Sequence, residues 1–324
     1  MSDENIIEVS ALSHSYGDFE AVREISFAVK RGEIFSFLGP NGAGKSTAIN
    51  VLITLLKIQK GRVTISGYEL STDPQGVRES IGIVFQEITL DRDMTVEETL
   101  QFHGRLYSMK TEEIKSRTDE LLNLVGLNDK RDKYTKELSG GMKRRLEIAR
   151  GLMTRPDVLF LDEPTIGLDP QTRRKTWEYL RDVNREGTTI FLTTHYMDEA
   201  DVLSDRISII DHGEIIITGT PAELKNNLGE DLIYLETSDI RASKDILGKF
   251  PGVKEVRGKE SGLILSTTKD GTRILPELIK TLEHDGITIE LVNLKKPSMD
   301  DVFMHYTGKE LRDGSDRDIG AEGR

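Results

Sequence analysis

Apolar positions open the chain at spaced intervals, Ile7, Val9 and Leu12 and then Val22, Ile25, Phe27 and Val29, with a break at Gly17-Asp18. Spaced apolar runs around a turn predict an antiparallel pair of strands over 6–29. From Glu33 the pattern changes: short apolar runs at 34–38, 81–85, 158–161, 189–192 and 207–210 alternate with longer stretches of helical spacing. Strands buried on both faces need continuous apolar runs, so this part predicts a mainly parallel α/β sheet. Between 96 and 154 no strand pattern occurs. Leu121, Leu122, Leu124 and Val125, then Leu146, Ile148, Ala149 and Leu152, recur at helical intervals, which predicts a helical insertion over about 87–154. The sheet pattern resumes at Val158 and closes over 221–228, with Gly229-Glu230-Asp231 as the boundary of a first domain, 1–228.

The remainder reads as strand 232–236, helix 240–250, strand 253–256, strand 263–266, helix 272–284 and strand 287–292. That β-α-β-β-α-β order is the ferredoxin-like arrangement of a small α+β domain, 229–308, with a two-sheet alternative left open. The polar run 309–324 has too little apolar surface to fold and reads as a flexible tail. No internal repeat or heptad array is present.

Composition narrows the classes. A chain of 324 residues is long enough for more than one domain, and 36% hydrophobic with 31% charged residues suits a packed, soluble protein. No apolar run approaches the roughly 20 residues of a membrane-spanning helix. With no cysteine, disulfides, thiolate metal sites and cysteine nucleophiles are excluded, and a reducing cytosolic setting fits. The start, MSDENIIEVS, carries acids instead of a basic n-region, so no secretory signal is expected. Lys+Arg 44 against Asp+Glu 56 leaves a net charge of -12, which disfavours nucleic acid as a partner because phosphate backbones are bound by basic surfaces.

The candidate chemistry begins at Gly39-Pro40-Asn41-Gly42-Ala43-Gly44-Lys45-Ser46-Thr47, a G-x-x-x-x-G-K-[ST] phosphate loop between a predicted strand and a predicted helix. Glycines let successive N–H groups turn inward onto phosphate oxygens at the positive end of the following helix. Lys45 supplies a charge to the β- and γ-phosphates and the Ser46 hydroxyl is a Mg²⁺ ligand. The strand at 158–161 ends in Asp162-Glu163-Pro164. At the carboxyl end of a buried strand, Asp162 is placed to hold Mg²⁺, and Glu163, pointing elsewhere, to take a proton from an attacking water.

Leu138-Ser139-Gly140-Gly141-Met142, leading into a helix, is a second anion-accepting geometry. With it the sequence resembles the ATP-binding cassette family over about two thirds of its length. The resemblance implies a P-loop NTPase cassette with MgATP as ligand, in which Ser139, Gly140 and Gly141 grip the γ-phosphate of ATP held by the opposite copy of a homodimer. It further implies that Tyr16 stacks on adenine, that Gln86 reports γ-phosphate and Mg²⁺ to a membrane partner, that Asp169 lies at the dimer seam, and that His195 contacts the γ-phosphate. The catalytic set would be Glu163, His195 and Lys45, and the metal set Ser46, Gln86 and Asp162. From the residues alone, Tyr16 is also an ordinary strand aromatic, Asp169-Pro170 an ordinary helix start, and His195 a structural histidine. Met142 stands where the family most often has Gln, and Ile166 where it has a small polar residue; neither is a phosphate-binding group.

Pro297-Ser298-Met299-Asp300-Asp301-Val302-Phe303, followed by Tyr306-Thr307-Gly308-Lys309-Glu310-Leu311-Arg312, is similar to the closing segment of daunorubicin-resistance-type ATPase subunits. The residues by themselves also read as a capped helix, with Ser298 as N-cap and Asp301 three residues on. The resemblance implies a multi-subunit exporter of drugs, lipids or polysaccharides. Its ATPase sits in the cytoplasm on the inner face of the membrane, paired with a separately encoded ABC-2-type subunit. A soluble ATPase acting on nucleic acid or ribosomes, and a nucleotide-binding regulator, are the competing readings.

Overall fold

In a computed structural model the chain is described over residues 5–259 and 261–308, and it divides into two compact units, Met1–Thr218 and Gly219–Arg324. The expected tail, 309–324, lies outside the described residues. The sequence boundary at 228 falls ten residues late. The helix over Pro221–Leu228 packs on the helix over Met299–Thr307, and its Leu224 and Leu228 are buried there within the second unit.

The first unit runs β1 (Asn5–Tyr16), β2 (Phe19–Lys30), β3 (Ile34–Leu38), α1 (Lys45–Leu52), β4 (Lys60–Ile65), β5 (Tyr68–Glu69), α2 (Pro74–Ser80) and β6 (Ile81–Val84). It continues through α3 (Val96–Leu106), α4 (Thr111–Leu124), α5 (Gly140–Gly151), β7 (Val158–Asp162), α6 (Pro170–Arg185), β8 (Thr189–Thr194), α7 (Met197–Leu203), β9 (Arg206–Asp211) and β10 (Glu214–Gly219). Strands β9, β3, β8, β7 and β6 are parallel neighbours in that order, with β10 at the edge beside β9. The antiparallel sheet is ordered β2-β1-β4-β5. Neither β4, β5 nor β10 was expected from the sequence, because β10 alternates exposed and half-buried residues, β4 opens with three exposed residues and β5 is two residues long.

The apolar runs of the parallel sheet are continuous because its strands have a core on each face. Val158, Phe160 and Phe191 join Phe35 and Phe37 under the antiparallel sheet and α1. Leu159, Leu161, Ile190 and Leu192 face the other way, onto Leu121, Leu122, Leu146 and Leu180 of the helical side. The period-2 alternation is therefore between two cores and does not show as polar residues along 158–161 of β7, while Ser36 on β3 and Ser208 on β9 are polar and fully buried. No helix among the described residues is long and apolar enough to cross a membrane.

The second unit contains α8 (Pro221–Leu228), β11 (Leu232–Thr237), α9 (Ile240–Leu247), β12 (Val253–Lys259), β13 (Gly262–Thr267), α10 (Gly271–His284), β14 (Ile289–Lys295) and α11 (Met299–Thr307). One antiparallel sheet, ordered β12-β13-β11-β14, carries α9 and α10 over a core of Ile233, Leu235, Leu247, Leu265, Leu278 and Leu282. This is the ferredoxin-like order with a single sheet, and β14 starts two residues later than the expected strand because Ile287 packs in the core before the ladder begins. Ser298 caps α11 reciprocally with Asp301, as the sequence reads.

Candidate functional site

The phosphate loop links the end of β3 to α1. Gly44 holds φ 100° at the head of α1 and Gly42 holds φ 83°, both in the region that side chains disfavour. A Cβ on Gly44 would press into the carbonyl oxygen of Ala21, so glycine is required there for space as well as for rotation. The loop is tied down by Gly39 N–H donating to Thr194 O at 3.2 Å and by Ala43 O accepting from Gly213 N–H at 3.0 Å.

Lys45 is buried, and its ammonium donates to the carbonyls of Gly39 (2.8 Å) and Pro40 (3.0 Å) while lying 3.5 Å from Glu163 Oε1. Burial lowers its pKa from the ordinary lysine value, against the pull of Glu163 and Asp162. Glu163 follows the last residue of β7 with φ 46°, a left-handed conformation rare for a residue with a side chain. Its amide is held by Thr193 O (3.2 Å) and Thr193 Oγ1 (3.1 Å), which fixes that backbone and turns the carboxylate back under the phosphate loop. There its other oxygen meets His195 Nδ1 at 3.1 Å. Burial raises the Glu163 pKa, but His195 and Lys45 outweigh it and hold the carboxyl below its ordinary value.

Asp162 reaches the phosphate loop even though β8 lies between β7 and β3 in the sheet. Its Oδ1 is 3.5 Å from Ser46 Oγ and also accepts from the Thr193 hydroxyl. One hydroxyl and one carboxylate are the hard oxygen donors that Mg²⁺ takes from a protein when water and substrate phosphates supply the rest. No group of three or more His, Cys, Asp or Glu side chains gathers as a metal cage among the described residues. The residues present fit the ion.

A cavity of about 330 Å³ joins the loop residues Asn41, Gly42, Gly44, Lys45, Ser46 and Thr47 to Gln86, Glu163, Tyr16, Phe19 and Ala21. Tyr16 and Phe19 are paired across the β1–β2 turn and are 51% and 62% exposed, two open aromatic faces at the mouth of a phosphate cradle. Phe19 was not singled out from the sequence, and its signal is its place directly after the Gly17-Asp18 turn.

Gly39, Pro40, Ala43, Asp162 and His195 adjoin this cavity through the residues that line it, whereas four candidates stand apart from it. Ser139 caps α5, accepting from Met142 N–H at 3.3 Å, with Gly140 exposed and Gly141 packed against Thr172 at the start of α6. Asp169 caps α6, accepting from the amides of Gln171 and Thr172, both at 3.0 Å. Segment 139–141 and Asp169 are thus neighbours through Gly141 and Thr172, and neither lines the cavity of Lys45. Asp169 is an N-cap as its sequence suggests, which leaves a second role open to it.

A phosphate cradle beside an acid-ended strand, on a sheet that carries both an antiparallel layer and a helical insertion, is the hallmark of ATP-binding cassette ATPases. Residues 22–166 match the family described as ABC transporter, and residues 219–307 match the one described as ATP-binding protein DrrA1-3-like, C-terminal domain. The chain is 38% identical over 306 residues to the daunorubicin resistance ATP-binding protein DrrA3 of Streptomyces coeruleorubidus, covering 94% of this chain and 97% of that one. It is 38% identical over 308 residues to the Nod factor export ATP-binding protein I of Sinorhizobium fredii, covering 95% and 87%. Among solved structures, cbiO1 from Clostridium perfringens, part of the ABC transporter complex cbiONQ, superposes with a TM-score of 0.64 at 34% identity, over 68% of this chain and 90% of that one. A bacterial ABC transporter cassette solved as a dimer gives a TM-score of 0.60 at 29% identity, over 66% and 98%. The chain belongs to the daunorubicin-resistance branch of the ATP-binding cassette family, and it binds and hydrolyses ATP.

Proposed function

We propose that this chain is the ATP-driven subunit of an exporter, acting as a pair of identical copies on the inner face of the cell membrane and docked on a separately encoded ABC-2-type membrane subunit. One observation carries the pairing: Ser139, Gly140 and Gly141 do not line the cavity that holds Lys45. A second copy placed head to tail would bring its Ser139 and the N–H groups of its α5 to the γ-phosphate of ATP bound in the first, with Asp169 at the seam. Names given to relatives, daunorubicin resistance and Nod factor export, support export of a drug-, lipid- or polysaccharide-like cargo.

In this reading the adenine stacks on Tyr16 and Phe19 and the phosphates run along the loop from Gly39 to Thr47. Phosphate oxygens compete with the Gly39 and Pro40 carbonyls and with Glu163 for the Lys45 ammonium. As Lys45 is drawn to the β- and γ-phosphates, the Glu163 carboxylate loses one of the two groups that hold its pKa down. It then takes a proton from the water that attacks the γ-phosphorus, the bond to ADP breaks, and inorganic phosphate leaves. His195, already on Glu163, turns one ring nitrogen to a γ-phosphate oxygen. Ser46, Asp162 and Gln86 would hold Mg²⁺, which supplies charge neutralisation on the phosphates. ATP thus closes the pair and hydrolysis reopens it, and the membrane subunits follow.

The test is to recover the chain, expressed from its own promoter, from detergent-solubilised membranes and to identify what accompanies it by mass spectrometry. A stoichiometric polytopic membrane protein is expected. Recovery from the soluble fraction with ribosomes or nucleic acid would overturn the exporter reading.

A further inference from the structure

Arg144 lies in the second turn of α5 with 3% of its surface exposed, a costly place for a guanidinium unless its donors are used. They are used on two loops at once. Nε donates to Pro164 O at 2.6 Å and Nη2 to Glu163 O at 3.0 Å, so one edge of the group holds the turn that carries the candidate base. Nη2 also donates to Gln86 O at 3.1 Å and Nη1 to Phe85 O, so the other edge holds the loop of the candidate γ-phosphate reader. Four backbone carbonyls, from segments 77 residues apart in sequence, converge on one planar cation.

The arrangement is backed by a second buried group. Glu147, one turn along α5 and fully buried, pairs with Arg144 Nη1 at 3.1 Å through one oxygen. Its other oxygen accepts from Thr89 N–H at 2.7 Å and Thr89 Oγ1 at 3.2 Å. Arg150, a further turn on, donates to Thr89 Oγ1 at 2.6 Å and Thr89 O at 3.2 Å. One face of α5 therefore grips the loop after β6 at both ends, at Phe85-Gln86 and at Thr89. The same helix begins at Ser139-Gly140-Gly141. Carbonyls are directional acceptors, and a guanidinium presents its donors in a fixed plane, so rotating or sliding α5 must carry both loops with it or break several bonds.

We propose that Arg144 is a positioning residue that locks the Gln86 loop and the Glu163 turn to α5 as one body, so that engagement of the α5 N-terminus by nucleotide is transmitted to both groups. The proposal rests on the reading of Gln86 and Glu163 given above. Lysine at 144 keeps the charge opposite Glu147 but has no planar fork to span four carbonyls.

The test compares Arg144→Lys, Glu147→Gln and the double variant with the unmodified full chain, measuring phosphate release against ATP concentration, binding of trinitrophenyl-ATP, and thermal unfolding. Arg144→Lys should lower kcat by about tenfold or more, the scale expected when reacting groups are misplaced by an ångström or less, while KM moves less than about threefold. Trinitrophenyl-ATP binding should stay near that of the unmodified chain, and the unfolding temperature should fall by the loss of the carbonyl hydrogen bonds while the chain stays folded at the assay temperature. Glu147→Gln should show a smaller loss that does not add to that of Arg144→Lys, because both act through one network. A kcat within about twofold of the unmodified chain in Arg144→Lys overturns the proposal, and so does a loss of kcat that is matched by lost nucleotide binding or lost folding. Glu163→Gln, assayed alongside, separates the two levels. Normal turnover there overturns the reading of Glu163 as base and this proposal with it, whereas lost turnover there with normal turnover in Arg144→Lys overturns the positioning role alone.

Discussion

Lys45 Nζ and Glu163 Oε1 lie 3.5 Å apart with both side chains buried, so the group proposed to meet phosphate and the group proposed to activate water restrain each other. Glu163→Gln keeps the shape and removes the basicity. Its turnover should fall by about 10²–10⁴-fold, the usual contribution of a general base, while MgATP is retained and a dimer accumulates. Lys45→Ala should lose nucleotide-dependent dimer formation. Phosphate release and light scattering after gel filtration check both. A Glu163→Gln chain that stays monomeric in MgATP and hydrolyses normally would show that another group is the base.

Gly44→Ala should abolish nucleotide binding with little effect on the second unit. At φ 100° a side chain is strained, and the new methyl would push against the Ala21 carbonyl on β2. Isothermal titration with MgATP is the check, and wild-type affinity would contradict the geometry.

Gly140 and Gly141 are adjacent in the signature segment and should respond differently to alanine. Nothing lies within 4 Å of a Cβ on Gly140, whereas a Cβ on Gly141 would overlap Thr172 Cγ2. Gly141→Ala should destabilise the first unit by about 1–3 kcal/mol, the cost of overpacking, and weaken ATP-dependent pairing as α5 and α6 are driven apart. Gly140→Ala should melt like the unmodified chain in differential scanning calorimetry. Equal melting of the two variants would refute the packing argument.

His103, half-buried on α3, is held at a pKa of about 4 by burial and by the nearby Arg150 charge, below the 6.5 of a free histidine. Between those values the unfolded chain binds the proton and the folded chain does not. Its contribution to stability is therefore complete above the ordinary value and is lost as pH falls toward about 4. The ring resonances of His103 should titrate near that value, and His103→Gln should flatten the pH dependence of the unfolding temperature across the window. A midpoint near 6.5 would contradict it.

Much of this was legible in order along the chain. The phosphate loop is read from nine consecutive residues because its chemistry is local: glycines for the bend, Lys45 and Ser46 for the charge and the hydroxyl. The parallel strands are legible because burial on both faces leaves an unbroken apolar run, as at Val158, Leu159, Phe160 and Leu161. The helix caps at Asp169 and Ser298 are legible because a cap is settled within three residues. Strands whose residues are partly exposed, β4 and β10, left no such trace. The boundary at 218 was hidden because Pro221–Leu228 is helical wherever it packs, and only α11 assigns it to the second unit.

The sequence alone thus determined the class of chemistry, the candidate phosphate loop and much of the pattern of strands and helices, all of which follow from neighbours along the chain. Tertiary structure decided which groups act on one another. It put Glu163 between Lys45 and His195, brought Asp162 to Ser46 across an intervening strand, and closed Arg144 over two loops. These partners are many residues apart, and their meeting depends on strand order and on one left-handed backbone angle at Glu163. Periodicity records which face of an element is buried, but it carries no information about what that face is buried against.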